Sequence, residues 1–165
     1  MRGAVHSVNV SDGGVPKLPI GRAVIDSDGV AGDRQADRKH HGGPDKAVCL
    51  FSFEVIERFQ AEGHPIQPGS VGENLTISGI DWTQVVPGSR LRIGVVELEI
   101  TYQAVPCKKN AQWFSDGDIR RIDYDRQPGQ ARMYARVITG GPVAEGDGVV
   151  LDSRRMPEAG SQKPW

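Results

Sequence analysis

Cys107 is the residue whose neighbours best equip it for chemistry. Pro106 precedes it, and Lys108 and Lys109 follow it directly. Positive charge beside a thiol favours the thiolate, which is the form that binds soft metals and attacks electrophiles. A small buried position beside solvated lysines would suit Cys107 equally well, because free cysteines are commonly buried. The local sequence leaves both interpretations open.

A second candidate is the basic, glycine-rich segment 29–46, which contains four arginine or lysine residues and an adjacent pair, His40 and His41. Its glycines let backbone amides approach a ligand, so the segment predicts a site for an anion. A solvated basic loop explains the same charges equally well. Adjacent side chains on an extended chain point to opposite sides, so we expect one histidine to line a pocket and the other to face solvent.

A third candidate is the pair Glu73 and Asn74, which precedes the apolar alternation that starts at Leu75. An asparagine amide has a donor and an acceptor, which suits the edge of a heterocycle. A turn held by the asparagine side chain is the simpler interpretation of this segment alone. No dinucleotide-binding glycine motif and no P-loop occurs in the sequence, which disfavours a Rossmann nicotinamide site and a P-loop ATP site.

The elements that must position these residues are mostly short strands. Residues 91–101 alternate between apolar and polar, which predicts two strands that meet at Gly94. Residues 132–137 alternate with the apolar side chains at odd positions, and with residues 148–151 they predict a second hairpin-like unit. Further β-favouring stretches occur at residues 5–10, 23–25 and 48–51.

One stretch has the features of an α-helix. Ser52 is a suitable N-cap, an apolar face repeats at Val55, Ile56 and Phe59, and Gly63 is a suitable end. A weaker, short helix is predicted at about 110–115. Many short strands, few helices and abundant turn residues favour a mostly β fold, a β-barrel or a sandwich, because a closed sheet has no exposed edges.

Composition excludes several classes of protein. The chain has 165 residues, with 20 Lys and Arg against 21 Asp and Glu, so a nucleic acid or an anionic membrane is not expected as its main partner. Its two cysteines, Cys49 and Cys107, are too few for a four-cysteine zinc site or iron–sulfur cluster. Cys49 lies in an apolar run and is expected in the core. We expect one domain over residues 1–151 and a flexible tail over 152–165.

The first residues lack the apolar core of a signal peptide, and no apolar run approaches the roughly 18 residues that cross a bilayer. These features, together with the low cysteine count, predict a cytoplasmic protein.

The sequence contains four motifs in this order: Gly32-Asp33-Arg34, His41 to Lys46, Gly72-Glu73-Asn74-Leu75 and Pro106-Cys107. Together they resemble the MOSC domain, named for the C-terminal domain of molybdenum-cofactor sulfurases. The opening Gly14 to Lys17 and the closing Gly146 and Asp147 are also similar to it. The resemblance covers residues 3–151 and implies a MOSC-type β-barrel of short, mainly antiparallel strands with a few short helices.

The resemblance also implies a molybdopterin-type molybdenum cofactor, with Cys107 as the thiolate ligand of the metal and the catalytic cysteine. Arg34 matches an arginine that lies near the pterin and its phosphate in related amidoxime-reducing proteins, and Asn74 matches a nearby asparagine of that group. His41 and Lys46 are expected as additional cofactor-binding residues.

The leading hypothesis is therefore a molybdenum-dependent oxidoreductase that reduces N-hydroxylated compounds such as hydroxylaminopurines, amidoximes or hydroxylamines. Its electrons would come from a separate donor protein, because two cysteines cannot hold a four-cysteine cluster. The proton donor is left open between His41 and Glu73. The alternative is a carrier of molybdenum cofactor, or of persulfide sulfur on Cys107, that reduces nothing. A MOSC-like barrel without a cofactor is a third interpretation.

Overall fold

A computed structural model describes residues 1–34 and 43–152. The strands in chain order are β1 (Arg2–Val10), β2 (Leu18–Pro19), β3 (Arg22–Asp26), β4 (Gly29–Val30), β5 (Val48–Ser52), β6 (Leu75–Ser78), β7 (Arg90–Ile93), β8 (Val96–Gln103), β9 (Met133–Thr139), β10 (Gly141–Ala144) and β11 (Gly148–Asp152). Helix α1 spans Phe53–Ala61, and 3₁₀ helices span Pro44–Lys46, Trp82–Gln84, Lys108–Trp113 and Ile119–Ile122.

Seven of these strands close into a barrel. Their order is β11, β7, β8, β9, β5, β6 and β1, and β1 pairs again with β11. Only the β5–β6 pair is parallel among these barrel pairings. Closure satisfies the backbone groups that the edge strands of an open sheet would expose. The mostly β barrel of short, mainly antiparallel strands with few short helices, which the sequence predicts, is confirmed.

The barrel core follows directly from the alternating sequence. Along β7 and β8 every apolar side chain that alternates with a charged one lies inside, at 1% exposure or less. The two strands are joined through Gly94, whose φ of 60° lies in the left-handed region that favours glycine. The predicted pair of strands is therefore confirmed. The inward-facing residues are Leu91, Ile93, Val96, Leu98 and Ile100.

Helix α1 forms where its capping and apolar residues predict it. The Ser52 hydroxyl accepts a hydrogen bond from the Val55 amide at 3.3 Å. Val55, Ile56 and Phe59 are buried in a second apolar cluster, outside the barrel core. Gly63 follows the helix with a φ of +95°. The weaker helix predicted at 110–115 is a 3₁₀ helix, Lys108–Trp113.

The predicted second hairpin is wrong. Strand β9 pairs with β5 and β8, whereas β11 pairs with β7 and β1. Between them the chain forms β10, which pairs with β3 in a separate three-stranded sheet completed by β4. The Gly-rich stretch after β9 therefore carries the chain out of the barrel rather than folding β11 back onto β9.

The last described strand, β11, ends at Asp152. Asp152 still pairs with Arg90 in β11, one residue beyond the predicted boundary at 151. Residues 153–165 of the predicted tail, like the segment 35–42, lie outside the described residues. Within the described ranges, no helix is both long enough and apolar enough to cross a bilayer.

The loop before β6 packs closely against the backbone of Lys17 at Gly69. Gly69 has a φ of +85°, and a Cβ there would lie 2.1 Å from the Lys17 carbonyl oxygen. Gly63 has a similar φ, but a Cβ there would meet nothing within 4 Å. We expect Gly63→Ala to cost about 1 kcal/mol of backbone strain, and Gly69→Ala about 1–3 kcal/mol more because of the added steric overlap. Urea unfolding of both variants measures the difference, and equal losses would contradict it.

Candidate functional site

A cleft of about 180 Å³ is formed by segments that lie far apart in the sequence. Its lining includes Gly14, Arg34, Asn74, Cys107 and Arg132. Gly14 lies in the loop after β1, and Arg34 lies in the loop after β4. Asn74 directly precedes β6, Cys107 follows β8, and Arg132 directly precedes β9. The barrel thus brings together three of the residues that the sequence singles out: Arg34, Asn74 and Cys107.

The other two predicted site residues are His41 and Lys46. His41 lies outside the described residues. Lys46 lines a second surface depression together with Tyr102 and Val105. Its Nζ atom lies 5.6 Å from the centre of the Tyr134 ring, and Tyr134 borders the cleft. Lys46 is therefore a neighbour of the cleft wall rather than a residue that lines it.

The charged side chains among the described residues that line the cleft are all cations. Lys17, Arg34, Lys109 and Arg132 border it, and no carboxylate does among the described residues. Arg34 is exposed, and its Nη1 lies 3.8 Å from an oxygen of Asp12, which is still more exposed, so water largely screens this contact. The cleft is therefore electrostatically suited to an anionic ligand.

Lys17 is the one of these cations with a buried counter-ion. Its Nζ donates to Oδ1 of Asp33 at 2.6 Å, with side chains only 9% and 6% exposed. The same carboxylate accepts from the Ser11 amide at 2.9 Å and from Nδ2 of Asn74 at 2.9 Å. Asp33 thus joins three cleft-forming segments. The sequence motifs contain Lys17 and Asp33, but nothing local indicated that they pair.

Asn74 is almost fully engaged by the protein itself. Its Nδ2 donates to Asp33 and, at 3.3 Å, to the Asn9 carbonyl, and its Oδ1 accepts from the Cys49 amide at 3.0 Å. An amide has only two N–H groups, so both are in use. The cofactor contact that the family resemblance implies for Asn74 would have to use the remaining lone pair of Oδ1.

The two cysteines differ in environment although both border the cleft. Cys49 is buried, and burial raises its pKa to about 11, so the thiol is neutral at physiological pH. Its predicted place in the core is confirmed. Cys107 is half-buried and directly precedes the 3₁₀ helix Lys108–Trp113. Cys107 is therefore the cysteine that is open to a ligand.

Arg132 is a cleft residue that sequence reasoning missed. It is only 4% exposed, and its Nη1 and Nη2 donate to the carbonyl oxygens of Val71 and Val105, both at 2.9 Å. The guanidinium thus ties the loop before Glu73 to the segment before Cys107. Alternation places Arg132 on the outer side of the barrel strand, and periodicity alone does not show that loops cover that side.

Glu73 is fully buried beside this cleft without lining it. Burial raises its pKa to about 7, against the opposing effects of hydrogen bonds from the Gly69 backbone and the Thr76 hydroxyl and the attraction of Arg132. The Thr76 hydroxyl donates to its Oε2 at 2.8 Å. Near neutral pH this carboxyl group is therefore divided between its protonated and ionised forms.

Comparison with known proteins identifies the class to which this barrel and cleft belong. Residues 37–150 match the MOSC domain, so the chain belongs to the MOSC domain family. The chain is 34% identical over 145 residues to the uncharacterized protein YflK of Bacillus subtilis (strain 168), and 28% identical over 145 residues to Protein YiiM of Escherichia coli (strain K12). The alignments cover 86% and 85% of this chain and 64% of each relative.

Solved structures show the same fold. A crystal structure of a hypothetical protein superposes with a TM-score of 0.73 at 27% identity, covering 93% of this chain and 70% of that one. The crystal structure of YiiM from Geobacillus stearothermophilus superposes with a TM-score of 0.68 at 22% identity, covering 96% and 78%. At that identity the second likeness concerns the fold alone.

Removing the Asp33 carboxylate should be strongly destabilising. Asp33→Ala leaves the Lys17 ammonium group buried without its counter-ion, which we expect to cost about 3–5 kcal/mol of unfolding free energy. The control is Asp152→Ala, because Asp152 forms an exposed ion pair with Arg92 at 3.3 Å. Its removal should change the free energy of unfolding little. Chemical denaturation measures both. A loss below about 1 kcal/mol for Asp33→Ala would contradict a stabilising role of the pair.

Glu73 should make stability depend on pH. Its pKa is higher in the folded than in the unfolded protein, so its contribution is complete below about pH 4.5 and is lost as the pH rises through about 7. Glu73→Gln removes this titration and should gain up to about 3 kcal/mol relative to wild type between pH 4.5 and 8. Urea midpoints across this range test it, with the exposed Glu57→Gln as control. A constant difference between Glu73→Gln and wild type would refute the shift.

Proposed function

We propose that this protein binds a molybdenum–molybdopterin cofactor in the cleft, with Cys107 as the thiolate ligand of the metal. The observation that carries the proposal is one cleft that combines a half-buried thiol with the cations Arg34, Lys109 and Arg132 and, among its described lining residues, no carboxylate. Soft thiolates suit such metals, and the phosphate of the cofactor is anionic. Membership in the MOSC family, which is associated with this cofactor, supports the same conclusion.

The chain's residues fit distinct parts of such a ligand. Arg34 and Lys109 are exposed cations at the cleft and would bind its anionic groups. Arg132 contributes a fixed positive charge from within the wall, because both of its terminal nitrogens are held by carbonyl oxygens. Asn74 would offer Oδ1. His41 and Lys46 remain predicted as additional contacts, Lys46 from its position beside Tyr134.

The reaction that we propose is the reduction of N-hydroxylated compounds, in which a hydroxylamine, two electrons and two protons give an amine and water. The cofactor supplies the two-electron chemistry when bound. The chain's own contribution is to hold the metal through Cys107, to attract anionic groups through its cations, and to enclose the reacting end beside Val15, Val71 and Tyr134. We expect a separate protein to deliver the electrons, because the two cysteines of this sequence cannot hold a four-cysteine cluster.

A second candidate function uses the same thiol. Cys107 is the more exposed cysteine of the cleft, and it would carry sulfur as a persulfide without reducing a substrate. Both functions agree with a cytoplasmic protein whose thiols stay reduced and whose partners are other proteins and small molecules rather than nucleic acid or membrane.

Metal analysis separates these functions. Protein purified from a molybdenum-replete host should contain molybdenum and pterin in near-stoichiometric amounts, and Cys107→Ala should lose most of the metal, to about a tenth or less. Cys49→Ala is the matched control, because Cys49 borders the same cleft but its thiol is neutral, and it should keep the metal.

Turnover of acetamidoxime with an artificial reductant would support the reductase. Cyanide-releasable sulfur on Cys107, without molybdenum or turnover, would instead establish the persulfide carrier. Full metal occupancy in Cys107→Ala would overturn the ligand assignment.

A further inference from the structure

Asn110 is a cleft residue whose side-chain amide forms no hydrogen bond with the described residues. It borders the cleft and is only 1% exposed. Neither its Nδ2 nor its Oδ1 has a hydrogen-bond partner among the described residues. Most buried polar side-chain atoms in folded proteins are hydrogen-bonded, and an unmade bond is unfavourable. An amide left entirely unpaired at the edge of a cleft therefore indicates a group that a ligand completes.

Asn110 also lies beside the proposed metal ligand. Its backbone amide donates to the Cys107 carbonyl at 2.9 Å, which places the two residues one turn apart at the start of the 3₁₀ helix. Cys107 is the extended residue that directly precedes this helix, and both Cys107 and Asn110 line the same cleft. A substrate that reacts next to the Cys107 sulfur would therefore come close to the Asn110 side chain.

The other polar groups of the cleft are unsuited to a neutral substrate group. Asn74 has used both of its N–H groups on Asp33 and Asn9. Arg132 donates to backbone carbonyls through Nη1 and Nη2, and its unpartnered Nε can donate but cannot accept. The remaining charged side chains at the cleft are cations, which favour anions. Among the described lining residues, Asn110 has the amide in which both donor and acceptor are unengaged.

We propose that Asn110 is a specificity-determining residue that binds a neutral substrate group with a donor and an acceptor side by side. An amidoxime is such a group: its amino N–H donates to Oδ1 of Asn110, and its hydroxyimino end accepts from Nδ2. An aldoxime lacks the amino group and makes at most half of this contact. The inference rests on the proposed reductase function and adds the residue that selects among N-hydroxylated substrates.

The first test needs no cofactor. Leucine has nearly the shape of asparagine, so Asn110→Leu removes two unpaired polar atoms without opening a large cavity. We expect the melting temperature of the cofactor-free protein to rise by about 2–4 °C. Gln112→Leu on the same helix is the control, because Gln112 is exposed and its Nε2 already donates to the Lys109 carbonyl at 2.9 Å. It should give no rise.

The second test compares acetamidoxime with acetaldoxime in molybdenum-loaded protein and an artificial reductant. Asn110→Leu should lower kcat/KM for acetamidoxime about tenfold or more, mainly through KM, and change that for acetaldoxime less than about threefold. Molybdenum content should equal that of wild type. Asn110→Ala removes the same atoms with less volume and should show the same discrimination.

The outcomes separate the two proposals. Wild-type turnover with equal effects of Asn110→Leu and Asn110→Ala on both substrates would overturn this inference alone. A fall in the melting temperature of Asn110→Leu would also overturn it, because the amide would then stabilise the fold. Loss of molybdenum in these variants would place Asn110 at the cofactor instead. Absence of molybdenum and turnover in wild type would overturn the proposed function together with the inference.

Discussion

The buried ion pair between Lys17 and Asp33 is the interaction on which the cleft depends. The Asp33 carboxylate accepts hydrogen bonds from Lys17, from the Ser11 amide and from Asn74, and so fastens the loop after β1 to the start of β6. An isolated buried charge is strongly unfavourable, whereas one with several donors is stable. Pairing Lys17 internally also leaves the exposed cation of Arg34, next in sequence to Asp33, at the cleft for a ligand.

The barrel supplies the rigid frame around this pair. Strands β5 and β6 lie parallel, and where they meet, the Asn74 amide donates to the Cys49 carbonyl at 2.8 Å while the Asn74 side chain accepts from the Cys49 amide. Arg132 performs a similar task through the carbonyls of Val71 and Val105. Buried polar groups therefore connect the segments that form the cleft.

Two polar groups at the cleft stand apart from this network. The side-chain amide of Asn110 and the Nε of Arg132 lack partners among the described residues, whereas the side-chain amide of Asn74 bonds through both its nitrogen and its oxygen. Unsatisfied polar atoms reduce stability, and such local costs are expected at functional sites. In the function that we propose, these groups beside Cys107 would take part in the choice of substrate.

The sequence by itself determined a mostly β fold, the β7–β8 pair and helix α1, because alternation, capping and turn residues act over a few neighbouring positions. The family motifs implied that the fold is a barrel. The sequence also singled out Arg34, Asn74 and Cys107, which the fold brings to one cleft. Only the tertiary structure decided that β9 and β11 do not pair, that Lys17 neutralises Asp33, and that Arg132 and Asn110 are buried at the cleft. These features join residues far apart in sequence, and local periodicity shows which way a side chain points but not what covers it.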